Sequence, residues 1–197
     1  MSDKDYSLTK ELTSETIEAW SNRSYISKEL QKKLARADAL IVPNEGYDDD
    51  ADLRYFPEGT EDLVSFLQRN IKEDQYVDVC IEEGDYKELA QHADLLIIAG
   101  AVVTTIFAPL FVNLVTEYIK HRVGKRADDT TVKTSLTISD RRNGKSITLT
   151  YDGPASTYEK IMLGAVNESV KELEGESPPA LKRISAAPKV QAKNEGK

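Results

Sequence analysis

The sequence predicts an α+β protein with three structural parts: a small N-terminal α/β module, one long apolar helix, and a C-terminal β-hairpin packed on a helix. Residues 95–116 carry no charge, which predicts the long helix. Helical periodicity at residues 60–71 lies between strand-like segments at 39–42 and 76–82, which predicts the α/β module. Apolar and polar residues alternate on both sides of Asn143-Gly144, which predicts the hairpin.

The charge of the 197-residue chain is unevenly distributed. The net charge is −8, with −12 on residues 1–94 and +4 on the remainder. The acidic front argues against a nucleic-acid partner, because phosphate binding needs dense Lys and Arg. It suits a surface that meets basic partners, or one that keeps the protein in solution. Cys80 is the only cysteine, which indicates a reducing compartment and excludes an internal disulfide or a Cys-based zinc site.

Before the apolar stretch, the sequence predicts a polar arm at residues 1–24 and an acidic α/β module at residues 25–94. The N-terminus has no apolar run behind its charges, so no cleavable signal peptide is expected. The module is predicted to contain, in order, a helix capped by Ser27, a strand at 39–42, a loop at 44–52, a helix capped by Thr60, a strand at 76–82, and a short helix opened by Asp85 and Glu88.

The apolar stretch predicts a membrane-spanning helix at residues 95–117. As a helix, the 22 uncharged residues 95–116 would be about 33 Å long, close to the ~30 Å hydrocarbon core of a bilayer. Small residues at helical spacing would let two such helices approach closely, and Asn113 would seek a partner across the interface. The residues expected to mediate helix association are Gly100, Thr104, Ala108 and Asn113.

A basic cluster follows the stretch and is predicted to lie at lipid headgroups. Its members are Lys120, Arg122, Lys125 and Arg126. The positive-inside rule then predicts a single-pass protein of the inner membrane with a cytoplasmic C-terminal part. That topology would export a folded-looking acidic front without a signal peptide. This conflict favours the alternative, a cytoplasmic protein in which the apolar helix is buried in a core or an oligomer.

Residues 118–174 are predicted to form a basic linker followed by the hairpin and helix, and residues 175–197 a disordered tail. The helix is expected to begin at a capping box of Ser156 and Glu159 and to cover the hairpin, because two strands alone are marginally stable. The tail is rich in proline and poor in large apolar residues.

No catalytic, cofactor-binding or metal-ligating residue is predicted. The alternating Asp48, Asp50 and Asp52 resemble the start of an EF-hand loop, but Leu53 and Gly59 occupy the positions that require Gly and Glu. His92 and His121 lack ligand spacing. Cys80 lies between Asp78 and Glu82 on a predicted strand, where neighbouring carboxylates would raise its pKa, so it is interpreted as structural.

The order of the segments TEDLVSFLQ, YVDVCIE, the apolar stretch and NGKSITL resembles the effector-associated constant components of bacterial conflict and immunity systems. The resemblance covers residues 60–172. These are small proteins encoded beside variable effectors, with a hydrophobic segment and a C-terminal hairpin. The resemblance implies an accessory role in antiviral defence and an effector protein as partner. It implies no catalytic residues.

These observations favour a non-enzymatic adaptor that anchors or self-associates through the apolar helix and docks an effector. The alternative is an oligomeric α/β module that senses a small ligand or nucleotide at the loop Asn44–Asp52. A third hypothesis, an enzyme that uses the carboxylates of that loop, has the least support.

Overall fold

The computed structural model describes residues 5–47, 50–90 and 95–175, with the backbone alone described for residues 47 and 50–52. The strands are β1 (Ser7–Thr13), β2 (Ala39–Val42), β3 (Asn44–Tyr47), β4 (Asp50–Pro57), β5 (Val77–Val79), β6 (Glu88–Leu89), β7 (Leu95–Ile97), β8 (Gly100–Thr104), β9 (Thr131–Asp140) and β10 (Lys145–Pro154). The helices are α1 (Ile17–Ser21), α2 (Lys28–Leu34), α3 (Thr60–Asn70), α4 (Ala108–Val123) and α5 (Ala155–Leu173).

Most strands belong to one mixed sheet, in the order β1-β10-β9-β8-β2-β5, with β7 also paired to β9. The hairpin β9–β10 is present as predicted, but its turn has four residues, Arg141–Gly144, rather than Asn143-Gly144 alone. Gly144 adopts a positive φ of 67° in that turn. β1 pairs antiparallel with β10 along its whole length, from Ser7 opposite Asp152 to Thr13 opposite Ser146. The strand β1 lies within the predicted polar arm.

Two parallel β-α-β crossovers define the face of the sheet that we call the closed face. In one, β2 leads through α3 to β5, and in the other, β8 leads through α4 to β9. The two units run in opposite directions and move outward from the centre of the sheet, so right-handed crossovers place both helices on the same side. The helix α5 then packs against α4, β9 and β10. The main hydrophobic core lies between these three helices and the sheet.

The opposite face, which we call the open face, is covered over only part of its area. The short helices α1 and α2 pack on its β2 and β8 side and form a second, smaller core around Trp20, Leu34 and Leu40. Beyond them, the open face of β1, β9 and β10 carries Thr, Ser and charged residues, and Thr9, Glu11 and Thr150 are exposed. The sheet is therefore sandwiched at one end and accessible at the other.

The prediction of one long apolar helix is wrong. The stretch forms the interrupted strand β7–β8, a turn, and then the 16-residue helix α4. Pairing with β9 shifts from Leu95 opposite Thr131 to Ala101 opposite Leu136, so one extra residue bulges between β7 and β8. Within the described residues, no helix has the combined length and hydropathy that a membrane crossing would require.

The local sequence explains why the apolar stretch divides where it does. Val102, Val103 and Thr104 are β-branched and favour a strand. Pro109, which a single helix would have to accommodate as a kink, lies instead in the first turn of α4, where its missing N–H costs no hydrogen bond. The stretch is apolar on all sides because β8 is covered on both faces and α4 lies between α3, α5 and the sheet.

Helix starts also differ from the predictions. Ser27 caps α2 as expected, since its hydroxyl accepts from Leu30 N–H at 3.1 Å. Thr60 does not cap α3; the N-cap is Gly59, with φ of 86°, and the carboxylate of Glu88 accepts from the N–H groups of Gly59 and Glu61 at 3.0 and 2.9 Å. Glu88 therefore belongs to β6 and caps a distant helix, and the short helix predicted there is absent from the described residues. The helix α5 follows Pro154, without a capping side chain.

Candidate functional site

A cleft of about 380 Å³ lies on the open face, between the end of the covering helix α1 and the uncovered strands. A second depression, beside α3 and β7, has no space for a water molecule. The cleft is lined by Glu11, Thr13, Glu15, Trp20, Arg23, Val42, Pro43, Asn44, Glu45, Gly100, Ala101, Val102, Ser135, Thr137 and Thr148.

The wall of the cleft is built by α1 and the residues after it. Thr16 caps this short helix by accepting from Ala19 N–H at 3.0 Å. Ile17 and Trp20 then face the second core. Arg23 folds back so that its guanidinium carbon lies 4.6 Å from the centre of the Trp20 ring, a cation–π contact. The indole is thus held between the core and the cleft.

Among the described residues, Arg23 is the only cation that lines the cleft, and carboxylates hold it on two sides. Its Nη2 donates to Glu15 Oε2 at 2.9 Å, and its Nε lies 3.6 Å from Glu45 Oε1. Glu45 also accepts from the Tyr25 hydroxyl at 3.2 Å. With Glu11 included, three carboxylates face one guanidinium, which gives the lining a formal charge of −2.

The floor of the cleft carries hydroxyl groups from the polar side of the hairpin. Thr137 and Thr148 are opposite each other in register, and their hydroxyl oxygens are 2.8 Å apart. Ser135 continues this row on β9 next to Gly100 of β8, and Val102 of β8 lies opposite Thr137. The floor can therefore donate and accept hydrogen bonds, whereas the walls present negative charge.

Burial changes the acidity of two groups next to the cleft. The Tyr25 phenol has a raised pKa, chiefly because it is desolvated and also because Cys80 and Glu45 lie near it. Burial likewise raises the pKa of the Cys80 thiol to about 12, with Arg23 acting in the opposite direction and Glu45 and Asp78 adding to the increase. The thiol lies in the second core and is buried completely, so it is protonated and inaccessible at neutral pH.

The residues predicted to mediate helix association do not lie on one helix. Gly100 begins β8, where a Cβ would stand 3.2 Å from Val42 Cγ2, and Thr104 ends the same strand. Ala108 is the first residue of α4 and is fully buried, whereas Asn113 is exposed on that helix. The predicted stripe is wrong because its members belong to two different elements.

The basic residues predicted to meet lipid headgroups lie at the C-terminal end of α4. Lys120 is 2.7 Å from Glu159 of α5, and Arg122 is 3.4 Å from Asp62 of α3. These two cations connect α4 to the helices on either side. Lys125 and Arg126 are exposed in the 3-10 turn that follows the helix.

Residues 44–47 and 50–52 of the predicted loop lie in β3 and β4, which pair antiparallel and belong to a small separate sheet with β6. Asp48, like His92 and the tail after Gly175, lies outside the described residues. Within the described part of the chain, no group of three or more His, Cys, Asp or Glu is placed to hold a metal ion. His121 is exposed on α4.

Sequence reasoning identified the closed side of the hairpin and missed the cleft. Trp20, Arg23, Glu11 and Glu15 fall in a segment that has only a weak helical pattern. One signal was present: the polar positions of β9 and β10 are almost all Ser or Thr, namely Ser135, Thr137, Ser139, Ser146, Thr148 and Thr150. Fully solvated strand positions are not restricted to hydroxyl residues, so this bias indicated a partly covered polar face.

Comparison with known proteins gives no assignment: no family model matches the chain, and no match is found among curated proteins or solved structures.

Proposed function

We propose that this protein is a non-enzymatic adaptor that uses the open-face cleft to bind a basic segment of a partner protein. The observation that carries this proposal is the unequal covering of the sheet, which leaves a cleft of about 380 Å³ with acidic walls and a hydroxyl floor. Clefts of this size can bury one or a few side chains of a partner.

The charge of the cleft favours a cationic segment. Glu15 and Glu45 share the positive charge of Arg23. Glu11 is exposed at the rim, and the described residues that line the cleft include no second cation. A Lys or Arg side chain entering the cleft would meet carboxylates at its head. The paired hydroxyls of Thr137 and Thr148 could bond the backbone that carries it.

The acidic front of the sequence supports the same class of partner, since complementary charge steers association and suppresses wrong partners. The resemblance to effector-associated constant components suggests that the partner is an effector of a defence system.

The single tryptophan provides a direct test, because Trp20 lines the cleft and its fluorescence reports occupancy. We expect a tetra-arginine peptide to produce a saturable change in Trp20 fluorescence, and an acidic peptide of equal length to produce none. Glu11→Lys should weaken binding by about tenfold or more, since it replaces attraction with repulsion at the rim.

The matched control is Glu168→Lys, which changes the net charge by the same amount at an exposed position of α5. It should bind the basic peptide like the unmodified protein. If the peptide leaves Trp20 fluorescence unchanged, or if both variants lose binding equally, the cleft is not the docking site.

A second candidate function is the sensing of a small cationic molecule in the same cleft. Asn44 and Glu45, the first residues of the loop predicted to bind a ligand, line the cleft. The acidic walls disfavour a nucleotide phosphate. Spermidine or arginine should therefore raise the melting temperature at saturation whereas ATP should not. A stabilisation by ATP alone would contradict this assignment.

A further inference from the structure

The outer edge of β1 is the longest unpaired strand edge in the main sheet. β1 has seven residues, against three in β5 at the opposite edge. Among the described strands, only β10 pairs with it, and the pairing is continuous from Ser7 to Thr13. β1 contains no proline and no bulge, two of the devices that keep edge strands from pairing.

A large apolar side chain is exposed on this edge. Leu12 points to the closed face, since it is opposite Ile147 in register, but it lies beyond the cover of α5 and is 73% exposed. Leu8, on the same face, is half-buried against the main core. An exposed leucine on an unpaired edge is a typical feature of a strand-pairing interface.

The sequence of β1 is nearly the same read in both directions. Around Lys10 the order is Ser-Leu-Thr-Lys-Glu-Leu-Thr, so an antiparallel copy centred on Lys10 would place Leu8 opposite the other Leu12. In the same register, Ser7 would lie opposite Thr13, and Thr9 opposite Glu11. This register keeps the closed face of one sheet continuous with that of the other, because residues of equal parity are paired.

We infer that two copies of this chain associate through antiparallel pairing of their β1 strands, with the two-fold axis at Lys10, into one continuous sheet. The pairing buries both copies of Leu12 against Leu8 of the other copy. It satisfies backbone groups that otherwise face water along the edge. The second copy is favoured over an unrelated strand because this segment is complementary to itself.

Lys10 is the residue of β1 that most directly opposes this pairing, because the lysines of the two copies would face each other. Each lysine is already bound within its own chain: its Nζ lies 2.5 Å from Glu172 of α5. The centre of the interface is thus a row of four charged side chains, in which two adjacent lysines lie between two glutamates. Each copy also carries a net charge of −8, so added salt should strengthen the dimer by screening the repulsion.

Sedimentation equilibrium of the full chain tests the interface. We expect a concentration-dependent dimer. Leu12→Lys should raise its dissociation constant by about 100-fold, because each of the two leucines contributes roughly tenfold through burial. The matched control is Ile106→Lys, which removes another exposed apolar side chain, 91% exposed in the turn before α4 and far from β1 in the sheet order. It should leave the dissociation constant unchanged.

Cross-linking tests the register independently of Leu12. Lys10→Cys would place two thiols directly across the axis, with Cα atoms about 5 Å apart, which suits a disulfide. Thr9→Cys would place them about 8 Å apart, too far for one. We expect disulfide-linked dimers from Lys10→Cys alone under mild oxidation. A monomeric unmodified chain, equal dimerisation of Leu12→Lys, or equal cross-linking of Thr9→Cys would each overturn the inference.

Discussion

The two faces of the central sheet are built from the same strands, but helices cover one face much more completely than the other. On the closed face, Leu136, Ile138, Ile147 and Leu149 are completely buried under α5 and α4. On the open face, the residues that alternate with them are Ser and Thr, and only the half beneath α1 and α2 has an apolar core. Coverage changes within one face as well as between the two.

The difference shows how this small protein combines stability with an accessible surface. The closed face concentrates the apolar burial that stabilises the fold. On the open face, ion pairs and hydroxyl contacts position the side chains of the cleft, and such contacts contribute little to the free energy of unfolding. A binding surface on the open face can therefore change its side chains without affecting the main core.

The largest expected effect separates the two halves of the open face by thiol reactivity. Cys80 is buried under α1 and α2 with its pKa raised to about 12, so its thiolate should be roughly 1,000-fold scarcer at pH 8 than that of an ordinary cysteine. In Thr148→Cys, the new thiol at the cleft floor should react at a near-ordinary rate with iodoacetamide. Peptide mapping by mass spectrometry measures both rates in one sample.

Unfolding the same sample in urea is the control, because both thiols should then react alike. If Cys80 reacts in the folded protein as fast as the thiol at position 148, the second core does not exclude solvent as the structure indicates.

A smaller effect compares neighbouring residues on opposite faces. Leu136→Ala should lower the free energy of unfolding by about 2–5 kcal/mol, because it leaves a cavity in the main core. Thr137→Ala should lower it by only about 1 kcal/mol, since it removes one hydroxyl contact with Thr148. Urea denaturation measures both. Equal losses of stability would mean that the open face of the sheet is packed as tightly as the closed face.

The smallest expected effect concerns the N-terminus of α3 on the closed face, which the Glu88 carboxylate caps. Burial alone would raise the pKa of Glu88, but hydrogen bonds from the Tyr86 hydroxyl and from the backbone N–H groups at Gly59 and Glu61 outweigh it, and the pKa is lowered. A lowered pKa in the folded state stabilises the fold at any pH above the unfolded-state pKa of about 4.3. This stabilisation is lost as the pH falls through the folded-state pKa.

Glu88→Gln should therefore cost about 1 kcal/mol at pH 7, or roughly 2–4 °C in melting temperature for a chain of this size. The difference between the variant and the unmodified protein should shrink as the pH is lowered from 6 to 3. A difference that is constant over this range would show that the carboxylate charge has no part in capping α3.

Local patterns predicted several elements of the fold because their causes are local. Four features all depend on near neighbours along the chain: the short apolar run at Ala39–Val42, the periodicity of α3, the Ser27 cap and the β9–β10 hairpin. The prediction for the apolar stretch was wrong because hydropathy alone does not distinguish a lipid-exposed helix from a central strand followed by a buried helix. Pro109 and the β-branched run were the local evidence for the division.

The cleft could not be predicted from the sequence for a different reason. Glu11, Trp20, Glu45 and Thr148 come from four separate parts of the chain, and only the sheet order brings them to one cleft. The cap of α3 by Glu88 has the same character, because donor and acceptor are separated by 27 residues. Such arrangements depend on tertiary pairing, which no sequence window contains.

The pairing of β1 with β10 has a consequence for how the molecule is made. Thr9 meets Thr150, so the first strand has no neighbour until the ribosome has released the last one. Such distant pairing predicts slow folding for a domain of this length, since the ends of a long loop must lose conformational entropy before stabilising contacts form between them. During translation, β1 would remain a candidate for chaperone binding.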